Sequence, residues 1–416
     1  MEQTVLPSQL RGTITANPSK SAMQRAVAAA LLSKGKSVIG NPGLSQDCLS
    51  ALEAARALGA TVEQLPGQVV IQGKGIDPVT GTIDCGESGL GIRMFTPIAA
   101  LSSRHLIITG KGSLAGRPMD LFEELLPTLG VRCKTNHGKL PLEIQGPLQP
   151  RDIEVDGSLS SQFLTGLLMA YGAVARGHII TVKDLRSRPY IALTLQLMAR
   201  FGVEVVHQDF KRFIFPREPH YHPADYTVEG DWSGAAFLLA AGALCGEISV
   251  RHLNPDSAQS DKAFLEALRE AGAKVRISGT EISVSRATLG AFRFDATDCP
   301  DLFPPLVALA ANCKGTSRIL GVGRLAHKES DRGSVLREEF AKLGIRVGLD
   351  GDEMEVTGGP IQAGTVSSHG DHRIAMAFGI GGLVAEGPVT IKESESVNKS
   401  YPEFWDHLKE LGANLA

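Results

Sequence analysis

The chain of 416 residues predicts an α/β repeat protein, and two recurring features predict it. The first is a glycine that follows an apolar-patterned segment and precedes a β-forming or small residue. It occurs in Leu58-Gly59-Ala60, Leu129-Gly130-Val131, Phe201-Gly202-Val203, Ala271-Gly272-Ala273, Leu343-Gly344-Ile345 and Leu411-Gly412-Ala413, about 70 residues apart each time. The second, roughly midway between these glycines, is a polar or glycine-rich junction in front of a helix that is apolar nearly all round. The junctions are Ser19-Lys20-Ser21, Ser88-Gly89-Leu90-Gly91, Leu159-Ser160-Ser161-Gln162, Asp231-Trp232-Ser233-Gly234, Pro300-Asp301-Leu302 and Gly370-Asp371-His372-Arg373. Six such units are too much chain for one ordinary core and point to two or three domains.

Each element of the unit has a local cause. The segment before each glycine is amphipathic, as in Phe264-Leu265-Glu266-Ala267-Leu268-Arg269-Glu270-Ala271, so the glycine is expected as a left-handed helix C-cap. After the cap, Lys274-Val275-Arg276-Ile277 and Glu281-Ile282-Ser283-Val284-Ser285 alternate like paired strands across a Gly-Thr turn. The helices behind the junctions, such as Phe163 to Ala170 and Ala235 to Leu244, lack a polar face and should be buried. At the fifth junction Pro304 and Pro305 fall in the first turn, where a missing N–H costs nothing. Lys211 to Asp225, with three prolines, reads as a long polar loop before a domain crossover near Val228.

Asn17 to Arg25 shows what the junctions can do. A strand-like lead-in gives way to a helix that opens on Ser19, Lys20 and Ser21, and unpaired N–H groups beside a lysine suit an anion. Taken alone the stretch is an ordinary helix start; its recurrence changes its weight. Were three buried helices to lie inside each domain and point the same way, their N-termini would meet at one end. Two such ends facing each other would line a cleft fitted to a polyanion.

Composition narrows the partners. A net charge of −3 gives no electrostatic footprint for nucleic acid or an acidic membrane surface. The longest apolar stretch, Ala235 to Cys245, is too short to span a bilayer, and Met1-Glu2-Gln3-Thr4-Val5 does not begin a secretory signal. Six cysteines stand far apart, without metal-ligand spacing. A reduced, cytoplasmic setting without a bound metal is the expectation, with Cys299 and Cys313 as small core residues.

Set side by side, the junctions and the charged stretches between them resemble the 5-enolpyruvylshikimate-3-phosphate synthase family over essentially the whole chain. The matching stretches are Pro18-Ser19-Lys20-Ser21 with Arg25, Arg117-Pro118, Asp156-Gly157-Ser158 through Ser160-Ser161-Gln162-Phe163-Leu164, and Ser187 with Pro189-Tyr190-Ile191. They continue with Asp298-Cys299-Pro300-Asp301, Lys328-Glu329-Ser330-Asp331-Arg332, Asp371-His372-Arg373 and Lys399-Ser400-Tyr401-Pro402. The resemblance implies a two-domain inside-out α/β barrel of six α-β-α-β-β units, three per domain. The lower domain would comprise 1–13 and 229–416, the upper domain 14–228, with the active site in the cleft between them.

It also implies an addition-elimination reaction: the enolpyruvyl group of phosphoenolpyruvate passes to the 5-hydroxyl of shikimate-3-phosphate and phosphate leaves. That chemistry needs no electron sink, hence no organic cofactor, and the partners would be the two small substrates of a monomer. By resemblance Lys20, Gly89, Arg93, Arg117, Gln162, Arg332, Arg373 and Lys399 surround phosphoenolpyruvate, with Lys328 beside them. Lys20, Ser21, Arg25, Ser160, Ser161, Gln162, Ser187, Asp301 and Lys328 hold shikimate-3-phosphate, and Tyr190 packs nearby. Asp301 is the candidate base for the hydroxyl; Glu329 and Lys20 are candidate acids at C3. His372 has a supporting role. Fixed arginines suit these anions because one guanidinium binds two oxygens at once.

Two stretches depart from the family pattern. Glu87-Ser88-Gly89-Leu90-Gly91 stands where Asn-Ala-Gly-Thr-Ala or Ser is usual, in the loop where glyphosate and phosphoenolpyruvate bind in this family. Gly323-Arg324-Leu325-Ala326-His327 replaces a polar-x-Arg-Val run and leaves Arg324 as a further phosphate-ligand candidate. A rival on the same fold, the transferase acting on UDP-N-acetylglucosamine, expects a Lys-Asn pair and a loop cysteine. Here the pair is Lys20-Ser21, and 112–120 has no cysteine. A non-catalytic anion-binding relative is the other alternative.

Overall fold

All six recurring glycines adopt positive φ, from 78° at Gly130 to 109° at Gly59, as left-handed caps require. In the computed structural model, which describes residues 1–158, 161–326 and 328–416, each cap ends a half-buried surface helix, and the first five hand the chain to a β-hairpin. The predicted hairpin of the fourth unit forms as expected, with Ser278 opposite Glu281.

Among the described residues the strands form six four-stranded sheets of identical order. In one, Thr82–Asp84 runs parallel to His105–Thr109, which is antiparallel to Lys139–Gln145, itself hairpin-paired with Arg132–Asn136. The apolar helix Gly89–Ala99 makes the crossover between the parallel strands. The repeating unit is therefore β-α-β-α-β-β: a short leading strand precedes the expected α-β-α-β-β. Three-residue edge strands such as Thr82–Asp84 and Arg293–Asp295 are too brief to show a period of two in sequence. The sheets stay separate and open; none closes on itself.

The chain divides into two compact units, Met1–Ser19 with Glu229–Ala416, and Lys20–Val228. The first crossover thus falls after Ser19, later than the expected 13/14 boundary, because all of Leu10–Thr15 pairs with Gly246–Arg251. At the two crossovers the leading strands are exchanged. Leu10–Thr15 precedes the helix Lys20–Leu32 yet completes a sheet of the other unit, while Asp225–Thr227 precedes Trp232–Cys245 yet pairs with Lys34–Gly40. The N-terminal strand Glu2–Leu6 likewise supplies the last strand of the sixth repeat, between Val389–Lys392 and Asn414–Leu415.

Within each unit the apolar helices pack on one another and the sheets cover them. In Trp232–Cys245 every residue but Ser233 is buried. Truncating the fully buried Phe237 there to alanine would cost about 3–5 kcal/mol. Strand Gln68–Lys74 shows the complementary pattern, burying Val69, Ile71 and Gly73 while Gln68, Val70 and Gln72 stay half-buried. Part of the expected loop 211–225 is ordered more tightly than its prolines suggest. Arg212–Ile214 is a strand, and the buried Tyr221 donates its hydroxyl to the Met169 carbonyl (3.1 Å). Cys299 and Cys313 lie in the core.

Candidate functional site

In the unit containing the termini, the helix starts carry one dense set of charges. Asp301 lies inside a 3-10 turn, Pro300–Leu302, and its carboxylate does not cap the following helix. It receives instead Lys328 Nζ (3.2 Å) and Arg332 Nη1 (2.8 Å) on Oδ1, with Arg373 Nη2 3.1 Å from Oδ2. Arg332, fully buried at the start of helix Arg332–Lys342, binds three carboxylates at once. Nη1 goes to Asp301, Nη2 donates to Glu329 Oε2 (2.7 Å), and Nε donates to Asp371 Oδ2 (2.8 Å). Asp371 caps the helix His372–Gly382 by accepting the Arg373 backbone N–H (3.0 Å) and also accepts the Ser330 hydroxyl (3.1 Å). One carboxylate thus fixes both arginines of the cluster.

Electrostatics follow from this geometry. Burial alone would raise the Asp301 carboxyl, but Arg373, Lys328 and Arg332 outweigh it and hold it well below the usual carboxylate range. Burial would likewise weaken the Arg332 guanidinium, and Asp371, Glu329 and Asp301 more than compensate, leaving it firmly protonated. Lys328 moves the other way: burial lowers its pKa despite the pull of Asp301. Behind the cluster, the buried Asp261 is raised by burial and by the charge of Asp301, although the Ser260 hydroxyl donates to it (2.9 Å). Lys399, at the end of the 3-10 turn Ser394–Lys399, and His372 are both buried in the same unit. Arg324 ends the 3-10 turn Val322–Arg324 and is half-buried.

The second unit carries the other half of the expected residues. Lys20 opens helix Lys20–Leu32 with Nζ 2.9 Å from Oδ2 of the buried Asp47 on helix Gln46–Ala57. Gln24 accepts the Ser88 hydroxyl (2.9 Å), and Ser88 caps the next helix by accepting from Gly91 N (3.0 Å). Beside that cap, Arg93 donates to Gln162 Oε1 (3.2 Å). A Cβ on Gly89 would fall 2.3 Å from Arg117 Nη1 and 3.2 Å from Arg93 Nη1, so glycine leaves room for both guanidinium groups at this helix start, and a side chain there would push the Arg117 guanidinium aside. Ser161 is buried at the first position of its helix, and Ser160 lies outside the described residues.

Ser187 and Arg25 show placements that spacing does not foresee. Ser187 is buried and left-handed (φ 56°), a strained conformation for a serine, and it leads helix Arg188–Arg200, which contains Tyr190 in its first turn. Arg25 is buried among the helices, donating to Thr194 Oγ1 (2.9 Å), the Ser21 carbonyl (2.8 Å) and Thr165 Oγ1 (3.3 Å). Burial lowers its pKa to about 10, Tyr190 and Tyr226 opposing. In this arrangement Arg25 braces Ser21 and the helices around it. Asp47, Asp261 and Asp371 carry weight that residue-by-residue reading assigned to none of them; Asp371 was visible only as part of the Asp-His-Arg stretch.

Among the described residues no cluster of histidine, cysteine or carboxylate side chains has the arrangement of a metal site, and no helix is long and apolar enough to cross a membrane. The sixfold-repeated α/β chain, with arginine, lysine and carboxylate at its helix starts, has the fold of a solved enolpyruvyl transferase. The solved enolpyruvyl transferase NikO of Streptomyces tendae shares this fold at 18% identity, with TM-score 0.80 over 100% of this chain and 98% of that one. The chain belongs to the EPSP synthase (3-phosphoshikimate 1-carboxyvinyltransferase) family, whose model matches residues 5–408. It is 34% identical over 98% of its length to the 3-phosphoshikimate 1-carboxyvinyltransferase of Clostridium novyi, covering 97% of that protein. It is 37% identical over 99% of its length to that of Aeropyrum pernix, covering 96%. The EPSP synthase structure of Acinetobacter baumannii superposes with TM-score 0.82 at 25% identity, over 100% of this chain and 99% of that one.

Proposed function

We propose that the chain carries out the reaction of its family with the two charged sets described above: phosphoenolpyruvate and shikimate-3-phosphate become 5-enolpyruvylshikimate-3-phosphate and phosphate. The observation that carries the residue assignment is the locking of Asp301 by Lys328, Arg332 and Arg373 with Glu329 on the same arginine. A site for two phosphates and two carboxylates needs cations fixed before the ligands arrive, and buried carboxylates do that fixing here.

The chemistry then runs in two stages. A proton is delivered to C3 of phosphoenolpyruvate, the C2 carbon becomes electrophilic, and the 5-hydroxyl oxygen bonds to it as its proton is taken. The tetrahedral adduct then loses phosphate from C2 while C3 returns a proton, restoring the double bond. Asp301, held ionised, accepts the hydroxyl proton only as arriving anions draw its cations away. Glu329 and Lys20 exchange the C3 proton. Arg93, Arg117, Gln162 and the Gly89 helix start receive phosphoenolpyruvate together with Arg332, Arg373 and Lys399. Ser21, Ser160, Ser161, Gln162, Ser187 and Lys328 receive shikimate-3-phosphate, and Arg25 supports Ser21.

The enzyme works as a cytoplasmic monomer in this proposal. No feature favours UDP-N-acetylglucosamine as acceptor. Phosphate release on mixing the protein with both substrates tests the activity. No release above background, with both ligands shown to bind, would replace the enzyme by an anion-binding relative.

A further inference from the structure

The loop that leads into helix Gly89–Ala99 contains a carboxylate, Glu87, beside a helix start proposed to receive an anion. A negative charge there opposes anion binding, so its contribution is sought in what the carboxylate holds in place. Glu87 precedes the cap residue Ser88 and reaches the segment that follows strand His105–Thr109. The Ser113 backbone N–H donates to Glu87 Oε2 (3.2 Å), and the Ser113 hydroxyl donates to the same oxygen (3.4 Å). Ser113 stands in the 3-10 turn Gly112–Gly116, and Lys111, at that turn's N-cap position, makes no side-chain cap. Gly112 adopts a left-handed φ of 56°, and a Cβ on it would lie 2.4 Å from Oε2 and 2.5 Å from Oε1 of Glu87. The carboxylate therefore packs against a bare backbone and caps the turn from another segment.

That turn ends in Arg117, whose backbone N–H donates to Leu114 O (3.1 Å) and whose Nη1 occupies the space that a Cβ on Gly89 would take. Lys111 N donates to Gly86 O (2.8 Å), so the two loops are also laced through their backbones. Glu87 and Gly89 are two residues apart on one loop; Ser113 and Arg117 are four apart on the other. Both ties hold the arginine against the helix start at Gly89.

We infer that Glu87 is a positioning residue: by capping the Gly112–Gly116 turn it sets Arg117 against the Gly89 helix start and thereby tunes affinity for the anionic enolpyruvyl donor. The inference rests on the proposed reaction for its kinetic consequence, but not for its structural one. A glutamine amide oxygen can still accept from the Ser113 N–H, whereas alanine cannot.

Two measurements on Glu87→Ala and Glu87→Gln test it. Hydrogen exchange at the Ser113 amide should be about tenfold faster in Glu87→Ala than in the wild type and be largely restored in Glu87→Gln. In phosphate-release kinetics Glu87→Ala should raise KM for phosphoenolpyruvate about tenfold, leave KM for shikimate-3-phosphate within about twofold, and recover in Glu87→Gln. Unchanged exchange in Glu87→Ala would overturn the capping role, as would equal damage by both substitutions. Equal rises in both KM values would indicate general loosening and overturn the role in donor affinity. If the wild type releases no phosphate the reaction assignment fails, and donor affinity is then read by calorimetric titration of phosphoenolpyruvate into the same variants, with the same tenfold weakening expected.

Discussion

Arg332→Met removes a buried guanidinium that binds three carboxylates while keeping an unbranched side chain. Arg332 makes four hydrogen bonds to carboxylate oxygens, at 2.8, 2.7, 2.8 and 3.2 Å. Adding them individually would overstate the loss, because Asp301 keeps Lys328 and Arg373 and Asp371 keeps Ser330 and the Arg373 N–H. Breaking one buried ion-pair network by removing a partner costs about 3–5 kcal/mol, a large share of a domain's stability. Both tryptophans, Trp232 and Trp405, lie in the unit that holds Arg332, so tryptophan fluorescence during urea unfolding reports that unit. The expected result is a lower tryptophan-monitored midpoint equivalent to about 3–5 kcal/mol at neutral pH. The deficit should shrink in acid. Asp301 has a depressed folded pKa, so its stabilising contribution is full above the unfolded value near ~3.9 and is lost as pH falls through the lower folded value. A neutral-pH loss below about 1 kcal/mol, or a loss that does not diminish in acid, would refute the account of Arg332 as the cluster's central counter-charge.

Three further outcomes are expected. Lys20→Met and Glu329→Gln should each lower turnover by about a hundredfold or more while circular dichroism stays native; near-normal rates would remove both from proton transfer. Gly89→Ala places a Cβ 2.3 Å from Arg117 Nη1, so phosphoenolpyruvate KM should rise about tenfold or more with little change in thermal midpoint, and an unchanged KM would show that Arg117 gives way freely. Arg25→Met should act on stability, by about 2–4 kcal/mol in urea unfolding monitored by far-ultraviolet circular dichroism, since the buried guanidinium bonds to Thr194, Thr165 and the Ser21 carbonyl. A variant of wild-type stability with weakened shikimate-3-phosphate binding would instead make Arg25 a direct ligand.

Much of the architecture was legible along the chain because its causes are local. A helix that must end in a left-handed cap selects glycine, so Gly59, Gly130, Gly202, Gly272, Gly344 and Gly412 mark six repeats before any contact is known. A helix enclosed by other elements loses its polar face, which made Trp232–Cys245 and its counterparts visible as buried. The charged residue types also belong to short stretches: Lys20, Arg93, Arg117, Lys328, Arg332 and Arg373 could be singled out without coordinates.

What those residues touch was decided by tertiary structure. Asp301 meets Arg332 across 31 residues of chain, and Asp371 meets it across 39, distances over which no periodicity carries information. The exchange of Leu10–Thr15 and Asp225–Thr227 between sheets is likewise a matter of strand pairing, and a strand's sequence shows which face is buried without naming its neighbour. By resemblance Arg25 is a residue that holds shikimate-3-phosphate, and only packing shows its guanidinium bonded to Thr194, Thr165 and the Ser21 carbonyl. Sequence alone determined the repeats, the buried helices and the inventory of charge, because dihedral preference and burial period act within a few residues. Folding decided which carboxylate holds which cation, because electrostatic partnership depends on distance in space, which the chain sets only when its sheets are paired.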